Sequence, residues 1–218
     1  MTRTEKYGFK IHKNQHKVAV PPTWEDSLEK DTIDLFEACC LNLKNRNNKL
    51  YTMVELGSNW CYYSLLFKHI IGKEKTLNIM VEPVEDSLQL GKDHFTLNSC
   101  EGIFYKKGIT NTMEYYDKII KLDFITLDEI LKQNSLTHLD ILHSDVDGNE
   151  IELIEKNIDF FKEGKAKNVF ILTHGDNCSS KCKEFFNQFP YSLIAEFPHG
   201  TQCGDGLLVY KFSSKTLK

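Results

Sequence analysis

The sequence predicts one α/β domain on a mostly parallel, seven-stranded sheet, with helices on both faces and an antiparallel pair at its C-terminal edge. Three observations predict it. From residue 50 onward, short apolar segments rich in β-branched residues alternate with segments of helical spacing. The first two apolar segments each end in an acid, Glu55 and Glu82, and a glycine follows the first. The last two lie too close together to admit a crossover helix, so they must pair antiparallel. A chain of 218 residues with 41% hydrophobic content is long enough to bury one sizeable core.

Residues 1–23 are polar, end in Pro21-Pro22 and read as an arm or cap. Thr23 or Asp26 is placed to cap a helix reaching about Leu43, with Leu28, Ile33, Leu35, Phe36 and Cys39 at helical spacing. A polar break at 45–49 separates this N-terminal arm and cap helix, 1–49, from the main domain, 50–218. Strands are expected at 50–56, 77–81, 102–108, 139–144, 169–173, 191–197 and 206–212. Helices are expected at 62–71, 84–97, 126–133, 150–161 and 179–189. Asp128 and Glu129 open the third of these, where acids suit the helix dipole. The stretches 110–121 and 198–206 read as loops that, with the arm at 1–49, would shape the pocket of an acceptor.

Composition narrows the function classes. The formal net charge of -4 supplies no basic surface for nucleic acid or for an anionic membrane. No run approaches the roughly 18 apolar residues of a membrane span, and residues 1–20 lack the apolar core of a secretory signal. The expectation is a cytoplasmic protein without a membrane or nucleic-acid partner. The seven cysteines, Cys39, Cys40, Cys61, Cys100, Cys178, Cys182 and Cys203, are odd in number and form no C-x-x-C pair. Cys178 and Cys182 share a helix face, but with only His174 nearby they fall short of a structural zinc set. Buried or idle thiols are the better reading.

The candidate site lies at the strand ends. In an open α/β sheet, ligands bind beyond the carboxyl ends of the strands. Gly57, two positions after Glu55, allows close backbone approach and a positive φ. The helix starting near Tyr62 offers free N–H groups to a carboxylate. The methionine part of S-adenosylmethionine carries such a carboxylate, and an ammonium for Glu55 to help hold. Glu82 follows Glu55 at about the spacing that brings an acid to a ribose, and Pro83 keeps it extended. The dinucleotide fingerprint G-x-G-x-x-G is absent, since Gly57 stands without the other two glycines.

The densest polar stretch runs from His143 to Glu150. Asp145 should sit just past the fourth strand, sharing a face with His143 if the strand persists. Three roles compete. Asp145 or His143 takes a proton from an attacking hydroxyl. Alternatively, Asp145, Asp147 and Glu150 hold a divalent cation that positions two substrate oxygens. Or the acids only cap the next helix. His174, after the fifth strand, faces the substrate, serves as a second base, or is a loop histidine bonded to backbone.

These stretches resemble the FkbM family of class I methyltransferases. Gly57, Ser58, Asn59, Tyr62, Tyr63, Ser64 and Leu65 match its opening motif; Glu82-Pro83 matches its second strand. Thr126-Leu127-Asp128 and Asp145, Val146, Gly148 and Glu150 match its later motifs. The resemblance covers about residues 54–174. It implies a Rossmann-like methyltransferase fold, S-adenosylmethionine as cofactor, and contacts to it from Glu55, Gly57, Ser58, Asn59, Glu82 and Asp145. It also implies O-methylation of a sugar, glycan or small hydroxylated metabolite, with N-methylation as a variant. Departures are Glu55 for Asp, Cys61 for glycine, His143 for Lys, Ser144 for Ile and Asp147 for Glu. A side chain at 61 is expected to crowd the cofactor or shift its loop. The alternatives are a non-catalytic cofactor-binding scaffold, kept open by Cys61 and His143, and a nicotinamide oxidoreductase, disfavoured by the missing glycines.

Overall fold

The computed structural model describes residues 2–12, 30–46, 50–115, 118–202 and 204–213. Pro21, Pro22, Thr23, Asp26, Leu28 and Cys203 lie outside them. The chain opens on a hairpin of β1 (Thr2–Thr4) and β2 (Lys10–His12), and helix α1 (Lys30–Lys44) follows. Next come β3 (Tyr51–Leu56), α2 (Tyr62–Ile71), a 3-10 turn (Lys73–Lys75), β4 (Thr76–Val81), α3 (Glu85–Leu97) and β5 (Ile103–Tyr105). A second hairpin, β6 (Thr112–Tyr115) and β7 (Lys118–Lys121), leads to α4 (Leu127–Gln133) and β8 (Leu139–Ser144). Then α5 (Glu150–Lys156), α6 (Ile158–Lys162), β9 (Ala166–Thr173), α7 (Asp176–Phe186), β10 (Tyr191–Gln202) and β11 (Asp205–Phe212) complete the described chain.

The main sheet has seven strands in the order β10-β11-β9-β8-β3-β4-β5. Its β9-β8-β3-β4-β5 part is parallel, while β11 runs antiparallel to both β9 and β10. The last strand therefore enters between its predecessors. The expected antiparallel edge is present, with the final strand one place inward.

Every residue of β3 and β8 is buried, because helices cover both faces. Phe36 of α1, Leu65 of α2 and Phe95 of α3 pack in one core layer. Leu127, Leu153, Phe160 and Phe186, from α4 to α7, pack in the other. Side chains alternate between these layers along each strand. Met53 therefore lies in the layer of α1–α3, and Val54 in the layer of α4–α7. Among the described residues, no helix is long and apolar enough to cross a membrane.

Some local expectations are corrected. The helix expected at 150–161 is two helices. They meet at Asn157, whose side chain accepts from the Leu127 amide and donates to the Leu153 carbonyl, both at 2.8 Å. Those two bonds favour a break over a straight continuation. Helix α7 starts at Asp176, after Gly175 at φ 107°, not at Ser179. The stretch 110–121, read as a loop, contains the β6–β7 hairpin, and strand β10 continues through much of the other expected loop. Thr126 and Glu129 form the reciprocal cap that starts α4.

The polar arm contains a seated hairpin. Asn98 accepts from the Lys10 amide and donates to the Lys10 carbonyl, both at 2.6 Å. The His12 amide donates to His94 Nε2 at 3.1 Å, and the Phe9 ring packs 5.6 Å from Tyr62. Replacing Asn98 by Ala removes both bonds to Lys10 and should cost about 1–3 kcal/mol, the scale for orphaned buried groups. Hydrogen exchange should then speed at Lys10 and His12 while β3 and β8 stay protected. Unchanged exchange at those two amides would show that Phe9 and Ile11 alone seat the hairpin.

Candidate functional site

The loops after β3, β4 and β8 converge at the carboxyl edge of the sheet. This is where the strand order reverses, β4 and β5 lying to one side of β3 and β8 and β9 to the other. Gly57 has φ 65°, and a Cβ there would overlap the Asp145 carbonyl oxygen. The Asp145 amide donates to the Leu56 carbonyl at 3.0 Å. Only a glycine lets the two loops approach this closely.

The amides of Gly57 and Ser58 donate to the Val81 carbonyl at 3.0 and 3.1 Å, and the Asn59 amide donates to Glu82 Oε2 at 2.9 Å. The other Glu82 oxygen accepts from the Val84 amide at 2.8 Å. Glu82 is thus fixed at both oxygens. Burial raises its pKa, and the two amides only partly offset this. It lines a cleft of about 310 Å³ together with Gly57, Asn59, Val84, Ile109 and Asp145.

Two expected cofactor contacts lie behind the cleft. Ser58 is buried, outside the cleft lining, with its amide committed to Val81. Glu55 is also buried, and its Oε2 accepts from the Ser64 amide at 3.0 Å in the first turn of α2. Burial pushes Glu55 up to about 7 against the hydrogen bonds from Ser64 and Tyr63. The helix N-terminus that was expected to meet a ligand carboxylate meets this one from its own strand.

Cys61 keeps the backbone a glycine would use, at φ 65°. Its side chain is fully buried outside the cleft lining, and it turns toward α3. A Cβ at Gly91 would collide with its sulfur. The side chain expected to crowd the cofactor therefore fills space left by a glycine on α3.

His143 does not reach the cleft. Strand β8 ends at Ser144, so the alternation that would have joined His143 to Asp145 stops short. In register, His143 sits opposite Glu55, beneath α1 and α2. Its ring stacks on Tyr63 at 4.0 Å and meets the edge of Phe36 at 6.1 Å. Neither ring nitrogen has a hydrogen-bond partner among the described residues. Burial pulls the imidazole down to about 3, so it is neutral at ordinary pH.

Asp145 lines the cleft, and next to it stands a cluster centred on His174. Nδ1 of His174 lies 2.7 Å from Glu150 Oε1, and Glu150 is fully buried. Nε2 lies 3.5 Å from an oxygen of each of Asp145, Asp147 and Asp205. Burial alone would lower the His174 pKa. The hydrogen bonds to Asp147 and Glu150 and the charges of Glu150 and Asp145 outweigh it and push the pKa up to about 11. An imidazolium cannot take a proton, so His174 does not fit the second-base role. Glu150 falls below the usual carboxylate range: burial raises it, but His174 and Cys178 more than compensate. Its other oxygen accepts from Cys178 Sγ at 3.1 Å. Glu150 is therefore turned to His174 and Cys178. The trio whose ligand atoms lie within 4.8 Å of one another is Asp145, Asp147 and His174, where sequence reasoning had paired the two aspartates with Glu150.

Sequence reasoning expected the stretches 110–121 and 198–206, which contain Thr110 and Asp205, to shape the pocket, but it singled out neither of them, nor the wall residues Lys107, Ile109 and Leu122. The rule that ligands sit beyond strand ends could have found that wall, because it follows the third strand.

No protein-family model and no curated protein sequence matches the chain. Among solved structures, it is similar to the N-terminal domain of human METTL16, with TM-score 0.64 and 16% identity over 96% of this chain and 78% of that one. The same human domain in complex with SAH gives 0.62 and 14% over 95% and 77%. The human methyltransferase 10 domain containing protein gives 0.61 and 14% over 90% and 88%. At these identities the likeness establishes the fold, a Rossmann-like class I methyltransferase fold.

Two outcomes follow from these placements. Gly91→Ala should destabilise the protein by about 1–3 kcal/mol through overpacking against Cys61, and Cys61→Gly in the same chain should recover most of it. A double-mutant cycle by urea unfolding checks this; additive losses would mean the two positions do not share space. His143 has a folded pKa far below the usual histidine value near 6.5. The folded state thus binds fewer protons than the unfolded one, and stability falls as pH drops from about 6.5 toward 3. His143→Phe keeps the stacked ring and should flatten this acid limb by up to about 1.4 kcal/mol per pH unit. Urea titrations across that window read the slope, and an identical slope in both proteins refutes the assignment.

Proposed function

We propose that the chain is an FkbM-like, S-adenosylmethionine-dependent methyltransferase acting on an oxygen of a sugar, glycan or small hydroxylated metabolite. The observation that carries the reading is Glu82. Its two carboxylate oxygens are each held by one backbone amide, on the wall of a cleft at the point where the strand order reverses. A carboxylate oxygen accepts more than one hydrogen bond, so both Glu82 oxygens retain capacity for the paired hydroxyls of a ribose. Gly57 and Asn59 supply the backbone rim, and Val84 and Ile109 supply apolar walls for a flat base.

When bound, the cofactor supplies a methyl group already activated on a sulfonium, so the protein mainly aligns donor and acceptor. Asp145 stands at the end of β8, between this cleft and the His174 cluster, and it is the group assigned to take the acceptor's proton. The carboxylates of Asp145, Asp147 and Asp205 on one lip favour an acceptor without phosphates, in line with a neutral hydroxylated compound.

Calorimetry with S-adenosylhomocysteine, S-adenosylmethionine and NAD tests the cofactor; binding of NAD alone would reject the proposal. Glu82→Ala should weaken S-adenosylhomocysteine by about 1–3 kcal/mol, the scale for hydrogen bonds to a charged group. Asp145→Asn should keep that binding and lose turnover on a panel of hydroxylated acceptors. Normal turnover in Asp145→Asn would move the base elsewhere.

A further inference from the structure

We propose that Asp145, Asp147 and His174 bind a first-row divalent cation at the lip of the cleft, flanked by Asp205, with Glu150 as the positioning residue behind the histidine. Three independent features support it.

The first is the aim of the imidazole. Glu150 is fully buried and fixes Nδ1, which turns Nε2 toward the carboxylates. A ligating histidine usually has its other ring nitrogen held by a carboxylate in this way. The second is spacing. A ring N–H points in one direction and serves one acceptor well at about 2.7–3.2 Å. Here Nε2 stands 3.5 Å from both Asp145 Oδ1 and Asp147 Oδ1, so its one N–H is shared between them at long range. Ligand atoms about 2.1 Å from a common tetrahedral ion stand about 3.4 Å apart, close to the 3.5 Å of the two pairs that His174 makes, and all three ligand atoms lie within 4.8 Å of one another. The third is charge. Asp145, Asp147, Asp205 and Glu150 surround a single imidazole, so the cluster stays negative even with that ring protonated. A dication gains more from this field than a proton does.

The mixed imidazole and carboxylate set suits manganese, iron or zinc better than magnesium, which favours oxygen ligands alone. Asp147 is 87% exposed, so water or a ligand can complete the coordination from solvent. The ion's role follows from Asp145, which belongs both to this trio and to the cleft wall. A cation here would hold two neighbouring oxygens of the acceptor, such as a vicinal diol, beside the methyl donor. This role rests on the methyltransferase reading; the ion site itself does not.

The test is manganese binding to the chelator-stripped full chain, by equilibrium dialysis and pulsed electron paramagnetic resonance. The expected result is one bound Mn²⁺ per chain with nitrogen coupling from an imidazole. His174→Gln should abolish the nitrogen signal and weaken binding at least about tenfold, and Glu150→Gln should weaken it about 10–100-fold while keeping the signal. Thermal melting of each variant confirms that it folds, with Asp147→Asn as a second ligand variant should His174→Gln unfold. No binding at millimolar manganese, binding without nitrogen coupling, or equal affinity in His174→Gln overturns the proposal. S-adenosylhomocysteine binding is read on the same samples. If that ligand binds and manganese does not, the ion site falls and the methyltransferase reading stands. Manganese bound with nitrogen coupling in a protein that ignores S-adenosylhomocysteine gives the reverse.

Discussion

The close approach of Gly57 to the Asp145 carbonyl is the constraint on which the candidate site depends. Two parallel strands, β3 and β8, deliver their loops to the same point, and a Cβ at 57 would push them apart. With them together, the β3 loop turns left-handed at Asn59 and Cys61 and lays its amides along the end of β4. That is how Glu82 acquires the Asn59 amide. The same approach sets Asp145 on the cleft rim, because its own amide is tied back to Leu56. One glycine thus couples Glu82, the acid proposed to hold the cofactor, to Asp145, the proposed base.

Alternation along the strands explains which expectations failed. Element types were largely readable, because helix and strand periods differ and the apolar runs are clean; α2 and β8 match their expected bounds. Strand parity near the ends was harder. Glu55 and His143 are polar residues near the carboxyl end of the sheet, which made them look like site residues. Both fall on the positions that face α1 and α2, and they sit opposite each other in register. Helix α2 gives Glu55 its amide partner, while His143 is accommodated by a tyrosine ring. Residues past the strand ends, Gly57 and Asp145, escape the alternation and reach the cleft. Asp205 and the residues of the wall after β5 were not singled out because their stretches carry no motif. They come from distant parts of the chain, and only the sheet order brings them to one edge.

Cys61 shows how a loop tolerates a side chain on left-handed backbone. Left-handed backbone costs a non-glycine residue roughly 1–2 kcal/mol. The thiol offsets part of this by filling the space that Gly91 leaves on α3. A glycine inside a helix is itself unfavourable by about 1 kcal/mol relative to alanine, so neither residue makes sense alone. The size exchange between loop and helix keeps the left-handed backbone after β3 while moving bulk away from the cleft.

Electrostatics gives the site its direction. Burial raises the Glu55, Glu82 and Asp205 pKa values, and repulsion from a neighbouring acid adds to each: Glu82 for Glu55, and Asp147 for both others. Carboxylates held above their ordinary range are poorly solvated and short of counter-charge. His174 relieves the cluster at the lip of the cleft, and its own high pKa measures how strong that field is. Glu82, in the wall of the same cleft, is fixed by two backbone amides. A ligand that brings positive charge and hydroxyl donors to this edge satisfies both halves of the imbalance. A sulfonium attached to a ribose has that combination, whereas a nicotinamide dinucleotide adds a pyrophosphate that these acids would repel. The field of these acids thus favours a positively charged ligand at the cleft that Glu82 and Asp145 share.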